Sequence, residues 1–181
     1  SLVRASRRAR RVSPQLQRVI DSFTLAPATI RTSTWDIVAW NRAATIVLHD
    51  YSSAPPEQRN VLRAMFLSPR MRESQTDWLA SARYVVAAFR ADVARSGAGE
   101  QVQALIAELG RLSPEFRAIW AENDVGGSYT GAFKSIRHPT AGVLKLEYTA
   151  FVVEGRPDLE MVVYNPATAE DAERVLGLLE R

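Results

Sequence analysis

Trp35-Asp-Ile-Val-Ala-Trp-Asn-Arg-Ala-Ala-Thr-Ile-Val-Leu48 (WDIVAWNRAATIVL) is the stretch whose reading decides the fold. Its first six residues are rich in aromatic and β-branched side chains, which suit a pleated surface. At Asn41 the period changes. Asn41 heads an alanine-rich run, NRAATIVLHD, in which Ala44, Val47 and Leu48 share one helical face. Asparagine at that junction reads as a helix cap whose side-chain oxygen accepts a backbone amide. Just upstream, Ala28–Thr32 alternates as a short strand, and Ser33-Thr34 leaves room only for a tight connection to Trp35–Trp40. The stretch therefore places two strands immediately before a short helix.

Toward the N-terminus, Ser13-Pro14 is a helix start, with a capping serine and a proline that loses no bond at the first helical position. Leu16, Val19, Ile20 and Phe23 follow at helical spacing and end before Pro27. Ser1–Val12 lacks apolar periodicity and reads as a basic arm, so the domain is expected over residues 13–181.

Toward the C-terminus, the pattern is helical from Pro55 to about Asn123. Val61, Leu62, Met65 and Phe66 line a short helix expected to be closed by Pro69. A longer helix is expected from Arg72 to Ser96, carrying Trp78, Ala82, Val85, Phe89 and Val93, and broken at Gly97-Ala98-Gly99. Val102, Leu105, Ile106 and Leu109 mark a third helix. Ser113-Pro114 starts a fourth with Phe116, Ile119 and Trp120, and Gly126-Gly127 ends the block.

Period two then takes over. Strands are expected over Ala132–Arg137, Val143–Val153 and Leu159–Tyr164, with turns at Pro139–Gly142 and Gly155–Asp158, before a closing helix over Thr168–Leu179. In the middle strand Leu144, Leu146, Tyr148 and Val152 face one way, and Lys145, Glu147 and Thr149 the other. Helix, two strands, helical block, three strands and helix make an α+β chain with an antiparallel five-stranded sheet, an inserted helical block and flanking terminal helices, and not a doubly wound parallel sheet.

Composition narrows the function classes. The 181 residues suit one domain, with 46% hydrophobic and 24% charged residues, as in an ordinary globular protein. No apolar run approaches the roughly 18 residues of a membrane span, and no apolar segment follows the basic start as a signal peptide requires. The absence of cysteine excludes disulfides and thiolate zinc sites and fits a cytoplasmic location. The formal charge of +3 is local: Arg4, Arg7, Arg8, Arg10 and Arg11 stand in the arm, and the remainder has 18 basic against 20 acidic side chains. A body of that sign offers no footprint for a phosphate backbone.

Catalysis finds no motif. The two histidines, His49 and His138, are far apart in sequence, and there is no GxSxG elbow, HExxH pair or Walker loop. Gly126-Gly127 lacks the lysine of a phosphate cradle, and Asp171 and Glu173 suit the start of a helix dipole. No catalytic and no metal-binding residue is assigned, and an enzyme is not expected. The aromatic content carries more information. Trp40, Phe66, Trp78, Phe89, Trp120 and Tyr148 either fill a core or line an apolar ligand cavity of the kind such folds enclose. Arg63 and Arg83 fall near these aromatics, either on a solvated helix face or placed to meet a carboxylate head group. His138, at a strand end before Pro139, is either a turn residue or a ligand contact.

WDIVAWNRAATIVL resembles the opening of a PAS domain, in which a second strand runs into an Asn-capped helix. SPQLQRVIDSF, PATIRTSTWDIVAWNRAA, NVLRAMFLSPRMRE, DWLASARYVVAAFRAD, LSPEFRAIWAENDV and HPTAGVLKLEY, in that order and spacing, resemble the ligand-binding domain of MmyB-like transcription regulators. The resemblance runs from about Val12 to the C-terminus. It implies a PAS-like sensor domain of a bacterial regulator that binds a fatty-acid-like molecule, takes part in homodimerisation, and touches DNA only through an N-terminal helix-turn-helix module absent from these 181 residues. No cofactor other than a bound fatty acid is expected, and no membrane partner. The competing expectations are a ligand-free dimerisation module, its aromatics filling the core, and an enzyme of unrecognised type built around His138.

Overall fold

The computed structural model describes residues 11–122 and 133–181. The expected Gly126-Gly127 end of the helical block, most of the basic arm and the first residue of the strand expected from Ala132 lie outside them.

Helix α1 (Pro14–Asp21) starts as its sequence dictates: Ser13 Oγ accepts the Leu16 amide at 3.1 Å, and Pro14 follows the cap. Strands β1 (Ala28–Thr32) and β2 (Ile37–Trp40) then run antiparallel into α2 (Arg42–Val47). Asn41 is the joint of this corner. Its Oδ1 accepts the amides of Ala44 at 2.9 Å and Ala28 at 3.0 Å, so it caps the helix and closes the strand pair together. Its Nδ2 donates toward the carbonyls of Ile20, Phe23 and Ala26, each at 3.0 Å.

The helical block holds α3 (Val61–Leu67), α4 (Pro69–Ser74), α5 (Trp78–Ser96), α6 (Glu100–Leu112) and α7 (Pro114–Ala121). Two boundaries differ from the sequence reading. Pro69 opens α4, because Ser68 caps it and proline at a first helical position forfeits no bond. The helix expected from Arg72 is interrupted at Gln75–Asp77: Gln75 is extended and bridges Ile136, and Asp77 caps a new helix through the Ala80 amide at 3.1 Å. The strand expected from Trp35 starts two residues later. Trp35 has φ 60°, a left-handed conformation that costs a side-chain-bearing residue roughly 1–2 kcal/mol. Its indole Nε1 donates to Asp92 at 2.9 Å, and Arg31 lies 3.7 Å from its ring centre, so tertiary contacts hold the turn.

Strands β3 (Phe133–His138), β4 (Gly142–Val153) and β5 (Arg156–Pro166) form the antiparallel meander, and α8 (Ala169–Leu179) closes the chain behind its Thr168 cap. The sheet order is β2-β1-β5-β4-β3, so the last strand enters the centre beside the first. Gly142 and Gly155, both at φ 75°, make the two hairpin turns.

Three cores result. One lies within the helical block, around Leu62, Met65, Phe89, Leu109 and Phe116. A second joins Leu144 and Leu146 of β4 to Val175 and Leu178 of α8. The third packs Ile20 of α1 on Ile30, Ala39, Leu159 and Val163, covering the outer sheet face over β1, β2 and β5.

Candidate functional site

Cross-strand register decides which side chains share the inner face. Thr29 stands opposite Trp40 and Val162, Tyr148 opposite Tyr164, and Lys134 opposite Leu146. Period-two alternation puts these, with Arg31 and Glu160, on the face away from α1. The helical side closes over them: the Tyr51 ring lies 5.4 Å from Trp40, and the Tyr84 ring lies 6.1 Å from Tyr148, which itself packs edge-on to Tyr164 at 5.6 Å.

Tyr51, Tyr148, Tyr164 and Lys134 are each half-buried. Burial pushes the hydroxyls of all three tyrosines above their ordinary range. Burial likewise lowers the Lys134 ammonium to about 8, and its one close neighbour of note is the Tyr164 ring, 5.4 Å from Nζ. Thr29 is 1% exposed, and its Oγ1 has no hydrogen-bond partner among the described residues. A buried hydroxyl without a partner costs roughly 1–3 kcal/mol, so the inner face carries a polar atom that the described residues leave unserved.

Beyond Thr29 the face ends in a charge cluster. Arg31 donates through Nε to Glu160 at 2.9 Å and reaches Asp92 of α5 at 3.2 Å, while Arg95 pairs with both carboxylates at 2.9 Å. Burial pushes the Asp92 carboxyl up. Burial would raise Glu160 as well, but Arg31 and Arg95 outweigh it and hold that carboxyl below its usual range. A notch of about 200 Å³ opens beside this cluster, among Thr32, Ser33, Asp92, Arg95, Val152 and Glu160. None of the nine residues picked from the sequence lines it.

The structure separates those nine. Trp40 and Tyr148 lie on the inner face. Phe66, Trp78, Phe89 and Trp120 pack within the helical block, where Phe116 stacks on Trp120 at 5.6 Å and meets Phe66 edge-on at 5.2 Å, and Phe89 is fully buried. Arg63 is paired with Glu108 at 2.6 Å and Arg83 with Glu122 at 3.2 Å. His138 serves the β3–β4 turn: Nδ1 accepts the Thr140 and Ala141 amides at 3.2 and 3.3 Å, which leaves Nε2 to donate to the Ile46 carbonyl at 3.2 Å. The sequence reading missed Thr29, Tyr51, Lys134 and Tyr164. A signal for Lys134 was present, since it shares strand parity with Ile136, which is buried.

Among the described residues no three histidine, aspartate or glutamate side chains are placed to hold a metal ion, and no helix is long and apolar enough to cross a membrane.

The sheet order, with a helical insertion between the second and third strands, defines a PAS-like α+β domain. Comparison of the sequence with known families is more specific. The family model of the MmyB-like transcription regulator ligand binding domain matches residues 12–179, and the chain belongs to that family. It is thus a ligand-binding, sensor-type domain of a transcription regulator. No curated protein matches the chain.

Proposed function

We propose that the domain binds a small apolar acid, a fatty acid foremost, between the inner sheet face and the helical block, and transmits occupancy to linked DNA-binding modules. One observation carries the reading: the half-buried rings of Tyr51, Tyr148 and Tyr164 gather with Trp40 on the face where the Thr29 hydroxyl has no partner among the described residues. Apolar walls with few polar atoms are what such a ligand requires. A ligand that prefers one arrangement of the sheet and block shifts their population, and that shift is the signal. Native mass spectrometry of the gently purified domain tests this. Retained lipid, or uptake of one dodecanoic acid per chain, is expected; neither retention nor uptake contradicts the reading.

Self-association is the second part of the proposal. Phe133, Val143 and Phe151 are 45–47% exposed on the outer face of β3 and β4, beside the half that α1 covers. They are interspersed along the strands with Lys145, Glu147 and Thr149, and apolar side chains exposed on one sheet face suit a subunit interface. Sedimentation analysis should find a dimer that Phe151→Asp dissociates; a monomer at all concentrations contradicts it.

A further inference from the structure

Among the described residues, the inner face contains one cation without a counter-charge. Arg31 is spent on Glu160 and Asp92, and at the block Arg63 and Arg83 are spent on Glu108 and Glu122. Lys145, the other lysine of the chain, points to the opposite face, over the Phe133 ring at 4.2 Å. Among the described residues Lys134 alone stands half-buried on the inner face with no carboxylate in ion-pair or hydrogen-bond reach. The groups facing it are Tyr164 of β5, across whose ring it lies, and Tyr148 of β4, one diagonal step from its partner Leu146. Behind it, the α4–α5 junction brings the neutral Gln75 to Ile136.

A desolvated ammonium without an anion is unfavourable in proportion to its burial unless it is neutralised or a counter-ion arrives. We propose that Lys134 is the anchor for the anionic head group of the bound ligand, with Tyr148 and Tyr164 beside it and the apolar tail running toward Tyr51 and Trp40. This rests on the effector-binding reading above and deepens it by assigning the residue that meets the acid's carboxylate. The orphaned Thr29 hydroxyl lies further along the face, one strand past Tyr164. The assignment differs from the sequence candidates Arg63 and Arg83, since removing either from its glutamate would break an existing pair to make a new one.

The test compares dodecanoic acid with dodecanol, the same chain with a neutral head, by calorimetric titration of the intact domain. Wild-type protein should prefer the acid by at least about tenfold, the worth of a charge-assisted bond. Lys134→Met should bind the two equally, and Lys134→Arg should retain the preference. An unfolding transition at or above the wild-type temperature shows that Lys134→Met is folded. Lysine labelled at Cε gives a second readout without any substitution, since the chain has only Lys134 and Lys145. The Lys134 titration should move to higher pH with dodecanoic acid bound and stay in place with dodecanol. Equal wild-type affinity for both compounds, or a Lys134→Met variant that keeps the acid preference, overturns the anchor and leaves the binding reading standing. Binding of neither compound overturns both.

Discussion

Arg31 and Glu160 face each other across the β1–β5 ladder, and the guanidinium applies both Nε, at 2.9 Å, and Nη2, at 2.5 Å, to a single carboxylate oxygen. Arg31 is 3% exposed and also holds Asp92, so this pair fastens the sheet to the longest helix of the block. Arg31→Met would leave the buried Glu160 and the half-buried Asp92 with Arg95 as their one paired cation among the described residues. Breaking a buried pair in this way costs roughly 3–5 kcal/mol. Urea unfolding should register that loss, and a variant within about 1 kcal/mol of wild type would show that the clasp is not structural.

Asn41 is the second weak point. Asn41→Ala removes a helix cap worth about 1 kcal/mol and strands carbonyls at Ile20, Phe23 and Ala26. Asn41→Asp keeps the cap but turns a negative oxygen toward those carbonyls. Both variants should lose at least about 3 kcal/mol, with aspartate no better than alanine. Rescue by aspartate would reduce the role of Asn41 to capping alone.

Lys134 makes stability depend on pH in an unusual direction. Its folded pKa is about 8 against an ordinary 10.5, so between those values the unfolded chain binds more protons than the folded one, and stability rises with pH. The ligand-free domain should gain roughly 1–3 kcal/mol on going from about pH 7 to pH 10. Above that range the raised tyrosine hydroxyls reverse the slope, because the unfolded chain sheds protons that Tyr51, Tyr148 and Tyr164 still hold. Denaturation at stepped pH should show the gain in wild type and not in Lys134→Met.

The helical core and the proposed ligand site should separate by mutation. Phe89→Leu should lower stability by roughly 1–2 kcal/mol while leaving dodecanoic acid affinity within about twofold. Tyr148→Leu should do the reverse, weakening affinity by at least about tenfold with a smaller effect on unfolding. Equal losses of affinity in both would mean that the ligand enters the block itself.

These contrasts also mark where the sequence was informative. Asn41 was legible because capping is local chemistry, and the sheet was legible because period two in β4 survives burial on one face. Pro69 was misread because a proline that ends one helix and a proline that starts the next are the same signal until the Ser68 cap is seen. The aromatics of the block were visible as residues but not by destination, since a core ring and a cavity ring have the same helical spacing. Tyr51 lies in a short 3₁₀ turn and carries no periodicity, so only tertiary packing against Trp40 brings it to the site.

The claim that the inner sheet face is the effector site is tested most directly by nuclear Overhauser contacts from isotope-labelled dodecanoic acid bound to the domain. The account predicts contacts from the ligand chain to the rings of Tyr51, Tyr148, Tyr164 and Trp40, with the carboxyl end nearest Lys134. Contacts confined to Phe89, Phe116 and Trp120, or to the notch beside Asp92 and Glu160, would contradict it.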